Sequence, residues 1–430
     1  MRILHIHTSD YAGGGGGAIA MYRLHLGLKK AGFNSKILCA TKTLESSDSI
    51  AIPHLSRSEL LLRKVTSRLG LNGIHCISSF KIKETKAYLD ADVLNLHSFR
   101  ARFSYLALPA LTENKPAVFT LHDIWPFTGH CAVSYDCDRW KTGCGKCPYP
   151  NAPPAIRRDN THLEWKLKDW VYSRSNLTIV ALSNKQTEQA KQSMLNRFPI
   201  HQIPNGVDTE VYEPLDPEQC RSLLGIPPGK KVLMFAALDL SQFWKGGDLL
   251  QKALQSLPES LKAETMLLIL GNRGEAIAKA VDIQTLNLGY ISNDRLKAIA
   301  YSAADLFVYP TRADSLPLVL LESMACGTPM VSFAIGGVPD LVRPGVTGYL
   351  AEPENAQDLC NGIVQLLEDE PLCNAMGQQG REIVLKEYTL ELQVQRYIKL
   401  YRQLLQDDDV TQTRDDLMFQ ESRVVGSARI

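Results

Sequence analysis

Residues 306–333 read "LFVYPTRADSLPLVLLESMACGTPMVSF" and contain a pattern that recurs along the whole chain. A short apolar run rich in β-formers is followed by a helical stretch, and a second short run, "PMVSF", closes the segment. Pro317 suits the first turn of that helix, Asp314 or Ser315 can cap it, and Gly327 can end it. The segment therefore predicts a strand, a helix and a second strand of an α/β fold.

Similar short apolar runs appear in both halves of the chain, separated by helical patterns. The first half contains "RILHIHT", "SKILCA", "DVLNLHS", "AVFTLHD" and "LTIVALS". The second contains "KVLMFAAL", "MLLILG", "LFVYPT", "PMVSFA" and, as a weaker member, "TLNLGY". Such runs suit strands that are buried on both faces, and right-handed crossovers then give a doubly wound parallel sheet in each half.

The length of 430 residues also favours two or more domains. A segment rich in Pro, Asn, Gly and Asp, residues 201–220, marks the join between the halves. The amphipathic stretch after Tyr388 predicts a helix, and the residues that follow predict a disordered tail. The expected boundaries are 1–200 for an acceptor domain with a cysteine-rich loop at 130–150, 201–386 for a donor domain, 387–405 for a helix packing back on the first domain, and 406–430 for the tail.

Composition narrows the class of protein. The formal net charge is +1 and 22% of residues are charged, which argues against nucleic acid as the main partner. No apolar run is long enough to predict a membrane span, and "MRILHIHTSD" lacks the apolar core of a signal peptide. We therefore expect a cytoplasmic protein whose ten cysteines are thiols or metal ligands rather than a disulfide framework.

Glu322 stands in the middle of an apolar helix, where a carboxylate is costly to bury without hydrogen-bond donors. Helical side chains lean toward the N-terminus, so this carboxylate is expected to point to the crevice where strand and helix meet. A vicinal diol such as that of ribose can donate two hydrogen bonds to it without adding charge. Asp314, at the strand end, is either a helix cap or a second ligand.

The glycine run Gly13–Gly17 follows the first strand and opens a helix. Glycine lets backbone amides approach an anion, and a helix N-terminus favours negative charge, so Gly14, Gly15 and Gly16 are candidates for a phosphate or acceptor loop. A flexible loop is the alternative. The run is not a P-loop, because no Gly-Lys-Ser/Thr follows, and it fits the dinucleotide fingerprint poorly.

Two histidines end strands of the first half. His122 and Asp123 end "AVFTLHD" and are expected to face the crevice, although a lone histidine is often structural. His97, which ends "DVLNLHS", is a weaker candidate of the same kind.

Strand ends in the second half suit the parts of a nucleotide. Lys245 precedes a helix and can place a cation on a phosphate. Gly336 and Gly337 follow a strand and suit close backbone contact with an anion, while Gly271 and Tyr290 can edge a base.

Taken together, these residues resemble the family 4 retaining glycosyltransferases, which have the GT-B fold of two doubly wound domains facing across a cleft. The resemblance rests on the glycine loop, the strand-end histidine, "IPNGVD", Lys-Gly before a helix, and "DSLPLVLLESMACGTPMVSFAIGGVPDLV", and covers residues 1–405. The "HD-W-P-TG" cysteine segment is similar to a subgroup of exopolysaccharide and colanic-acid transferases.

The resemblance implies roles for particular residues. Glu322 would hold the donor ribose, Asp314 a hydroxyl of the donor sugar, and Lys245 the diphosphate. The amides around Leu316 and Pro317 would also meet the diphosphate. His122 would lie by the transferred sugar, with Gly14 to Gly16 facing the acceptor or the phosphates.

The chain departs from the family pattern in two places. Asp314 stands where many members have glutamate, and Ala237 stands where the family has an arginine before the lysine. Arg312 is a candidate substitute for that arginine. The implied reaction is retaining transfer of a hexose from a nucleoside-diphosphate sugar to a hydroxyl, without a required metal. The sequence does not separate front-face displacement from double displacement, nor name the base, sugar or acceptor.

Two other classes of protein remain possible from the sequence. A GT-B nucleotide-sugar epimerase would keep the nucleotide site and lack an acceptor. A metal or redox protein would be built on Cys131, Cys137, Cys144 and Cys147, whose spacings are x5, x6 and x2. Because the last pair has zinc-knuckle spacing, we expect a structural zinc site, with free thiols or disulfides as the alternatives.

The stretch "RSELLLRKVTSR" places Arg57, Arg63, Lys64 and Arg68 beside leucines, as a basic amphipathic helix does. Most such stretches are solvated faces packed on a core. Because acceptors in the resembled subgroup are often lipid-linked, peripheral contact with the inner face of an anionic cell membrane is the second interpretation.

Overall fold

The computed structural model describes residues 1–11, 15–53 and 55–406. Its first sheet has seven parallel strands in the order β3-β2-β1-β4-β5-β6-β7. These strands are β1 Arg2–Ser9, β2 Asn34–Thr41, β3 Ser49–Ala51, β4 Val93–Leu96, β5 Ala117–Thr120, β6 Thr178–Ala181 and β7 Ile200–Gln202. The order reverses beside β1, which places a topological switch point there.

The second sheet has six parallel strands in the order β10-β9-β8-β11-β12-β13. They are β8 Lys231–Asp239, β9 Thr265–Asn272, β10 Gln284–Asn287, β11 Leu306–Tyr309, β12 Met330–Phe333 and β13 Gly348–Ala351. The prediction of two doubly wound parallel sheets is confirmed. The short strands β3, β7 and β13 were not among the predicted ones.

Helices cover the faces of both sheets, as parallel sheets require. In the first half they are α1 Gly15–Lys30, α2 Arg57–Arg68, α3 Lys86–Asp90, α4 Leu108–Thr112, α5 Thr161–Tyr172 and α6 Asn184–Lys191. In the second they are α7 Pro217–Leu224, α8 Gly247–Gln255, α9 Glu259–Glu264, α10 Glu275–Ala280, α11 Asp294–Ala303, α12 Leu318–Ala325, α13 Val338–Leu341, α14 Ala356–Glu368 and α15 Glu370–Glu387. Among the described residues, no helix combines the length and apolarity needed to cross a bilayer.

A last helix, residues 390–406, lies against the first sheet rather than the second. Its buried side chains Val394, Tyr397 and Tyr401 share a core cluster with residues of β1, β4, β5 and β6. The hydroxyl of Tyr401 accepts a hydrogen bond from Nδ2 of Asn95 at 2.7 Å. The first domain is therefore built from two separate parts of the chain. The predicted tail lies outside the described residues, except for residue 406.

The chain passes between the domains twice, and the two passages lie side by side. Val207 on the outward passage donates to the carbonyl of Tyr388, and Leu390 on the return donates to the carbonyl of Val207, each at 2.9 Å. A Cβ at Gly206 would lie 2.6 Å from the carbonyl oxygen of Thr389, so glycine is required for this close approach. Both connections between the domains are thus fastened to each other.

Candidate active site

A cavity of about 810 Å³ lies between the two domains, at the carboxyl ends of both sheets. It is the position at which open α/β sheets bind ligands. Many of the residues singled out from the sequence line it, namely Gly15, Gly16, His122, Lys245, Gly271, Tyr290, Asp314, Leu316, Pro317, Glu322, Gly336 and Gly337. Gly14 lies outside the described residues.

Glu322 on α12 is buried, and its carboxylate meets a cation from the other domain. Nη2 of Arg23, on α1, lies 2.8 Å from Oε1 of Glu322 and 3.1 Å from Oδ2 of Asp294. The hydroxyl of Tyr301 donates to Oε2 of Glu322 at 3.2 Å. Burial alone would lower the pKa of Arg23, but the carboxylate of Glu322 and the neighbouring acidic groups outweigh it and hold that pKa well above its ordinary value. The buried acid is therefore paired before any ligand binds.

Sequence reasoning missed Arg23. The residue follows Ala20 by three positions and precedes Gly27 by four, and this spacing places it on the buried face of α1. A charged residue on an apolar face was a signal that a buried partner exists. Which partner it finds depends on how the two domains pack.

Asp314 and Lys245 form a second charged group that lines the cavity. Nζ of Lys245 donates to Oδ2 of Asp314 at 3.0 Å and to the hydroxyl of Tyr309 at 2.7 Å. The Tyr309 hydroxyl donates to the same Asp314 oxygen at 2.8 Å. Burial would lower the pKa of Lys245, but the adjacent Asp314 carboxylate raises it, so the lysine stays charged.

Neither Asp314 nor Ser315 caps α12, so the helix-cap interpretation of Asp314 is wrong. Pro317 occupies the N-cap position without a side-chain hydrogen bond, and the helix begins at Leu318. The Asp314 carboxylate is instead engaged by Lys245 and Tyr309.

The first amides of α12 open onto the cavity, since Leu318 and Val319 also line it. Proline has no N–H, so the amide role assigned around Leu316 and Pro317 cannot fall on Pro317 itself. Leu318 and Val319 are in the first turn, where backbone N–H groups have no partner within the helix. A ligand anion at this end of α12 would meet them.

Gly336 and Gly337 are needed for a contact within the protein. Gly336 has φ +54°, and a Cβ there would lie 2.0 Å from the carbonyl oxygen of Asp314. A Cβ at Gly337 would lie 1.9 Å from the carbonyl oxygen of Ser315, and the N–H of Gly337 donates to the backbone carbonyl of Asp314 at 3.0 Å. The amide of Gly337 is therefore already used, which corrects its expected role as an anion donor.

Gly271 and Tyr290, the other residues predicted to contact the donor, have different surroundings. Gly271 has φ +140°, and a Cβ would lie 1.9 Å from the carbonyl oxygen of Ala237, so the backbone itself demands glycine there. Tyr290 is 41% exposed at the edge of the cavity, where its ring is accessible to a flat ligand.

Arg312 does not replace the missing family arginine. Its guanidinium is 5% exposed and is bound by the carboxylates of Asp248 and Glu354, at 2.6 Å and 2.7 Å. It also donates to the carbonyl of Phe243, at the start of the turn that carries Lys245. Arg312 therefore braces the Lys245 turn, and Ala237 leaves its position without a cation.

On the first-domain side, α1 begins at Gly15 and its N-terminus faces the cavity. A Cβ at Gly15 or Gly16 would meet no atom of the described residues within 4 Å at this helix start. Gly17 differs, because a Cβ there would lie 3.0 Å from Cγ of His122. The helix start and His122 thus lie against each other.

Nε2 of His122 is 2.9 Å from Nδ1 of His97, so Nδ1 of His122 is the ring nitrogen left for a ligand. Burial and the nearby Arg100 lower the pKa of His122 to about 4, so it is neutral near pH 7. Asp123 does not share this role, because its carboxylate pairs with Arg100 at 2.9 Å and accepts a hydrogen bond from the amide of Trp125.

The four loop cysteines do not form the expected zinc site. Among the described residues, no three His, Cys, Asp or Glu side chains converge as metal ligands. Sγ of Cys144 accepts from the amide of Gly129, and Sγ of Cys147 lies 3.2 Å from Nε2 of His130. Burial raises the pKa of Cys131 to about 12 and that of Cys144 to about 11, so without a bound metal these groups are neutral thiols.

The disulfide alternative does not hold either, because all ten cysteines are free. All four loop cysteines are only partly buried.

Two doubly wound domains face each other across a cavity that contains the N-terminus of α12 and paired charged residues. This arrangement defines a GT-B protein. Residues 220–383 match the family described as glycosyl transferases group 1, and residues 14–211 match glycosyltransferase family 4. The chain belongs to the family 4 glycosyltransferases, so the predicted family is confirmed.

Named relatives agree with this placement. The chain is 25% identical over 300 residues to the putative colanic acid biosynthesis glycosyl transferase WcaC of Escherichia coli K12, covering 67% of this chain and 68% of that protein. It is 28% identical over 236 residues to the N-acetyl-alpha-D-glucosaminyl L-malate synthase of Bacillus anthracis, covering 54% of this chain and 60% of that protein. The match thus spans about three fifths of the second relative.

Among solved structures, Anabaena HepE in complex with UDP-glucose superposes with a TM-score of 0.66. The identity is 17%, and the superposition covers 94% of this chain and all of that one. This likeness shows the fold. Neither the relatives nor this structure gives support to the epimerase interpretation.

Proposed function

We propose that this protein transfers a hexose, with retention, from a nucleoside-diphosphate sugar to a hydroxyl of a glycan or lipid-linked acceptor in cell-surface polysaccharide synthesis. The observation that carries the proposal is the cavity, which brings together the buried carboxylate of Glu322, the open start of α12 and the charged Lys245. The family, the UDP-glucose held by HepE and the likeness to WcaC support it.

In this proposal Glu322 holds the ribose while it stays bound to Arg23. An ionised carboxylate has about four acceptor sites. Arg23 and Tyr301 use one on each oxygen, so two ribose hydroxyls can still donate to Glu322. Tyr290 and Gly271 then border the base.

Lys245 stabilises the leaving diphosphate in this proposal. Its ammonium group has three protons, of which two are donated to Tyr309 and Asp314. The third, with the first amides of α12, meets the charge that develops on the diphosphate. Asp314 positions a hydroxyl of the transferred sugar, and His122 lies beside the same sugar. Arg312, which is paired with Asp248 and Glu354, does not take the place of the family arginine in this arrangement.

A panel of nucleotide sugars with different bases and sugars tests the proposal. One donor should raise the melting temperature of the protein and should be hydrolysed slowly in the absence of acceptor. A matched variant, Lys245→Met, should lose most of this hydrolysis because the leaving group is no longer neutralised. If no member of the panel binds, the proposal is wrong, and if the donor is converted to an epimer, the epimerase is the better interpretation.

The composition of α2 supports peripheral contact between this protein and an anionic membrane. Leu61 and Val65 are 65% and 47% exposed, and they lie on the same helix as the basic residues Arg63, Lys64 and Arg68. Exposed apolar side chains beside cations are the composition that binds an anionic interface. A lipid-linked acceptor would then be held near the cavity.

A further inference from the structure

Three histidines, one within a strand and two just after the neighbouring strands, form one hydrogen-bonded row. His5 lies on β1, His97 follows β4 and His122 follows β5, and these strands are neighbours in the first sheet. Nδ1 of His5 is 2.9 Å from Nε2 of His97, and Nδ1 of His97 is 2.9 Å from Nε2 of His122. We refer to these three residues as the histidine row.

The row is neutral because it is buried. His5 and His97 are 0% and 3% exposed, and burial holds the pKa of each well below its ordinary value. Other ionisable groups face the row from neighbouring elements, and these are His25 on α1, His7 on β1, and Arg100 and Asp123 in the loops after β4 and β5. Arg100 pairs with Asp123, and its positive charge also lowers the pKa of His122, which favours a neutral row.

Neutral histidines leave the row only two arrangements of its protons. Each ring has one N–H and one bare nitrogen, and each contact needs one of each. The protons therefore all point toward His122 or all point toward His5. In the first case Nδ1 of His122 has the proton, and in the second case it is bare.

The inner end of the row distinguishes the two arrangements. Nε2 of His5 is buried, and none of the residues that the structure describes is a hydrogen-bond partner for it. A buried N–H without an acceptor is rarer than an acceptor without a donor. Nε2 of His5 is therefore the bare nitrogen, and the protons point toward His122.

We infer that His97 and His5 are positioning residues that fix His122 as a neutral donor, with its N–H at Nδ1 available to an oxygen of the bound sugar. This inference rests on the proposed function only for the identity of the ligand. His122 then holds the sugar by donating a hydrogen bond, and it does not accept the proton of the attacking hydroxyl. His97 and His5 touch no substrate and act through His122.

Nuclear magnetic resonance of protein labelled with ¹⁵N-histidine tests the tautomer directly. At about pH 7.5 the proton of His122 is expected on Nδ1, with the signals assigned by their loss in His122→Gln. His97→Asn and His97→Leu are a matched pair of equal shape. The asparagine amide of the first variant can donate in place of Nδ1–H and should keep this tautomer, whereas leucine cannot and should let the Nε2–H form appear.

A proton on Nε2 of His122 in the wild type, or a protonated ring, would overturn the inference. So would a His97→Leu spectrum that matches the wild type. The wild-type spectrum decides the tautomer even if His97→Leu does not fold, and it requires no substrate.

Donor hydrolysis provides the second readout, with the nucleotide sugar that the panel identifies. The kcat of His97→Leu should be about three- to tenfold below that of His97→Asn, with KM for the donor similar, because one oriented hydrogen bond is lost. Equal kcat values would contradict a positioning role. If no nucleotide sugar binds, the proposed function fails while the tautomer result stands.

Discussion

At the scale of single residues, the pairing of Glu322 with Arg23 changes what a substitution there does. If the Glu322 carboxylate had no partner, replacing it with a neutral amide would remove an unpaired buried charge. It is not alone, since Arg23 binds it across the domain boundary at 2.8 Å. Removing one partner of a buried pair leaves the other without compensation.

Glu322→Gln is therefore expected to weaken both the fold and nucleoside-diphosphate binding. Hydrogen bonds to a charged acceptor contribute about 1.5–3 kcal/mol each, so affinity should fall by about tenfold to a few hundredfold. Arg23 remains paired with Asp294 in this variant, which limits the loss of unfolding free energy to about 1–3 kcal/mol. Calorimetry with the diphosphate and urea unfolding measure the two effects, and unchanged affinity would mean that Glu322 does not bind the ribose.

Asp314→Asn should behave differently. The change releases Lys245 from its ion pair, so the free diphosphate should bind at least as tightly as to the wild type. Turnover should fall, because the group that positions the sugar is altered. The same calorimetry, combined with donor hydrolysis, checks both results. Weaker diphosphate binding by Asp314→Asn would place this carboxylate in the nucleotide site instead.

The sequence predicted many residues of this site, but not the residues to which they bind within the protein. The strand-end positions of Lys245, Asp314 and Glu322 follow from the apolar runs before them, and their assigned roles came from the family resemblance. The contact of Glu322 with Arg23 joins residues 299 positions apart, so no local pattern encodes it. Gly337 was also singled out from the sequence. The position requires glycine because it closely approaches the backbone of Ser315, and this contact arises from tertiary packing.

At the scale of elements, the helix at residues 390–406 is part of the first domain's core. Asn95 on β4 donates to Tyr401, and its own Oδ1 accepts from the hydroxyl of Thr120 at 2.9 Å. The Tyr397 hydroxyl lies 3.0 Å from the same Thr120 hydroxyl. The helix is thus attached to two strands through buried polar groups.

Tyr401→Phe and Tyr397→Phe form a matched pair that tests this attachment. Without the Tyr401 hydroxyl, the buried amide of Asn95 loses its acceptor, and the free energy of unfolding should fall by about 1–3 kcal/mol. In Tyr397→Phe the Thr120 hydroxyl still donates to Asn95, so the loss of unfolding free energy should be smaller than in Tyr401→Phe. Urea unfolding of both variants compares them. The reverse order would contradict the assigned hydrogen bonds.

Helix α2 should bind anionic liposomes. The wild type is expected to float with vesicles rich in phosphatidylserine, and a variant with Arg63, Lys64 and Arg68 replaced by glutamine should not, because each nearby cation contributes about 1 kcal/mol. A control variant with Lys252, Lys279 and Lys386 replaced loses the same charge from exposed sites in the second domain and should still float. If the wild type stays at the bottom, α2 is only a solvated face.

At the scale of the whole molecule, buried histidines make stability sensitive to acid. Burial lowers the pKa of His7 to about 3 and of His25 to about 4, and it holds those of His5 and His97 well below their ordinary value. Each histidine takes up a proton more readily in the unfolded chain, where its pKa is about 6.5. Their contribution is therefore complete above about pH 6.5 and is lost as the pH falls below it.

The midpoint of urea unfolding should consequently decrease between pH 7.5 and pH 5.5. Each of these histidines can contribute a slope of up to about 1.4 kcal/mol per pH unit once the pH is well below 6.5. His25→Gln should show a shallower dependence than the wild type, while His201→Gln, at an exposed position, should not alter it. Equal midpoints at the two pH values would show that these rings already bind protons in the folded state.

The architecture as a whole was predictable, because short apolar runs between helices leave few alternatives to two parallel sheets. Strands of three or four residues at the sheet edges, such as Ser49–Ala51, have too little pattern to be recognised. How the domains meet was not predictable. It depends on pairs such as Asn184 with Asp340 and Gln186 with Ser315, which join short polar side chains from distant parts of the chain.

The return of the chain to its first domain has a consequence for biosynthesis. A ribosome releases residues 1–202 first, but Tyr397 and Tyr401, which complete that domain's core, emerge only after the whole second domain. Domains generally fold as units, with the N-terminal one first. Here the second domain can finish folding while the first still exposes the sheet face on which the last helix belongs. The domain that begins first is therefore completed last.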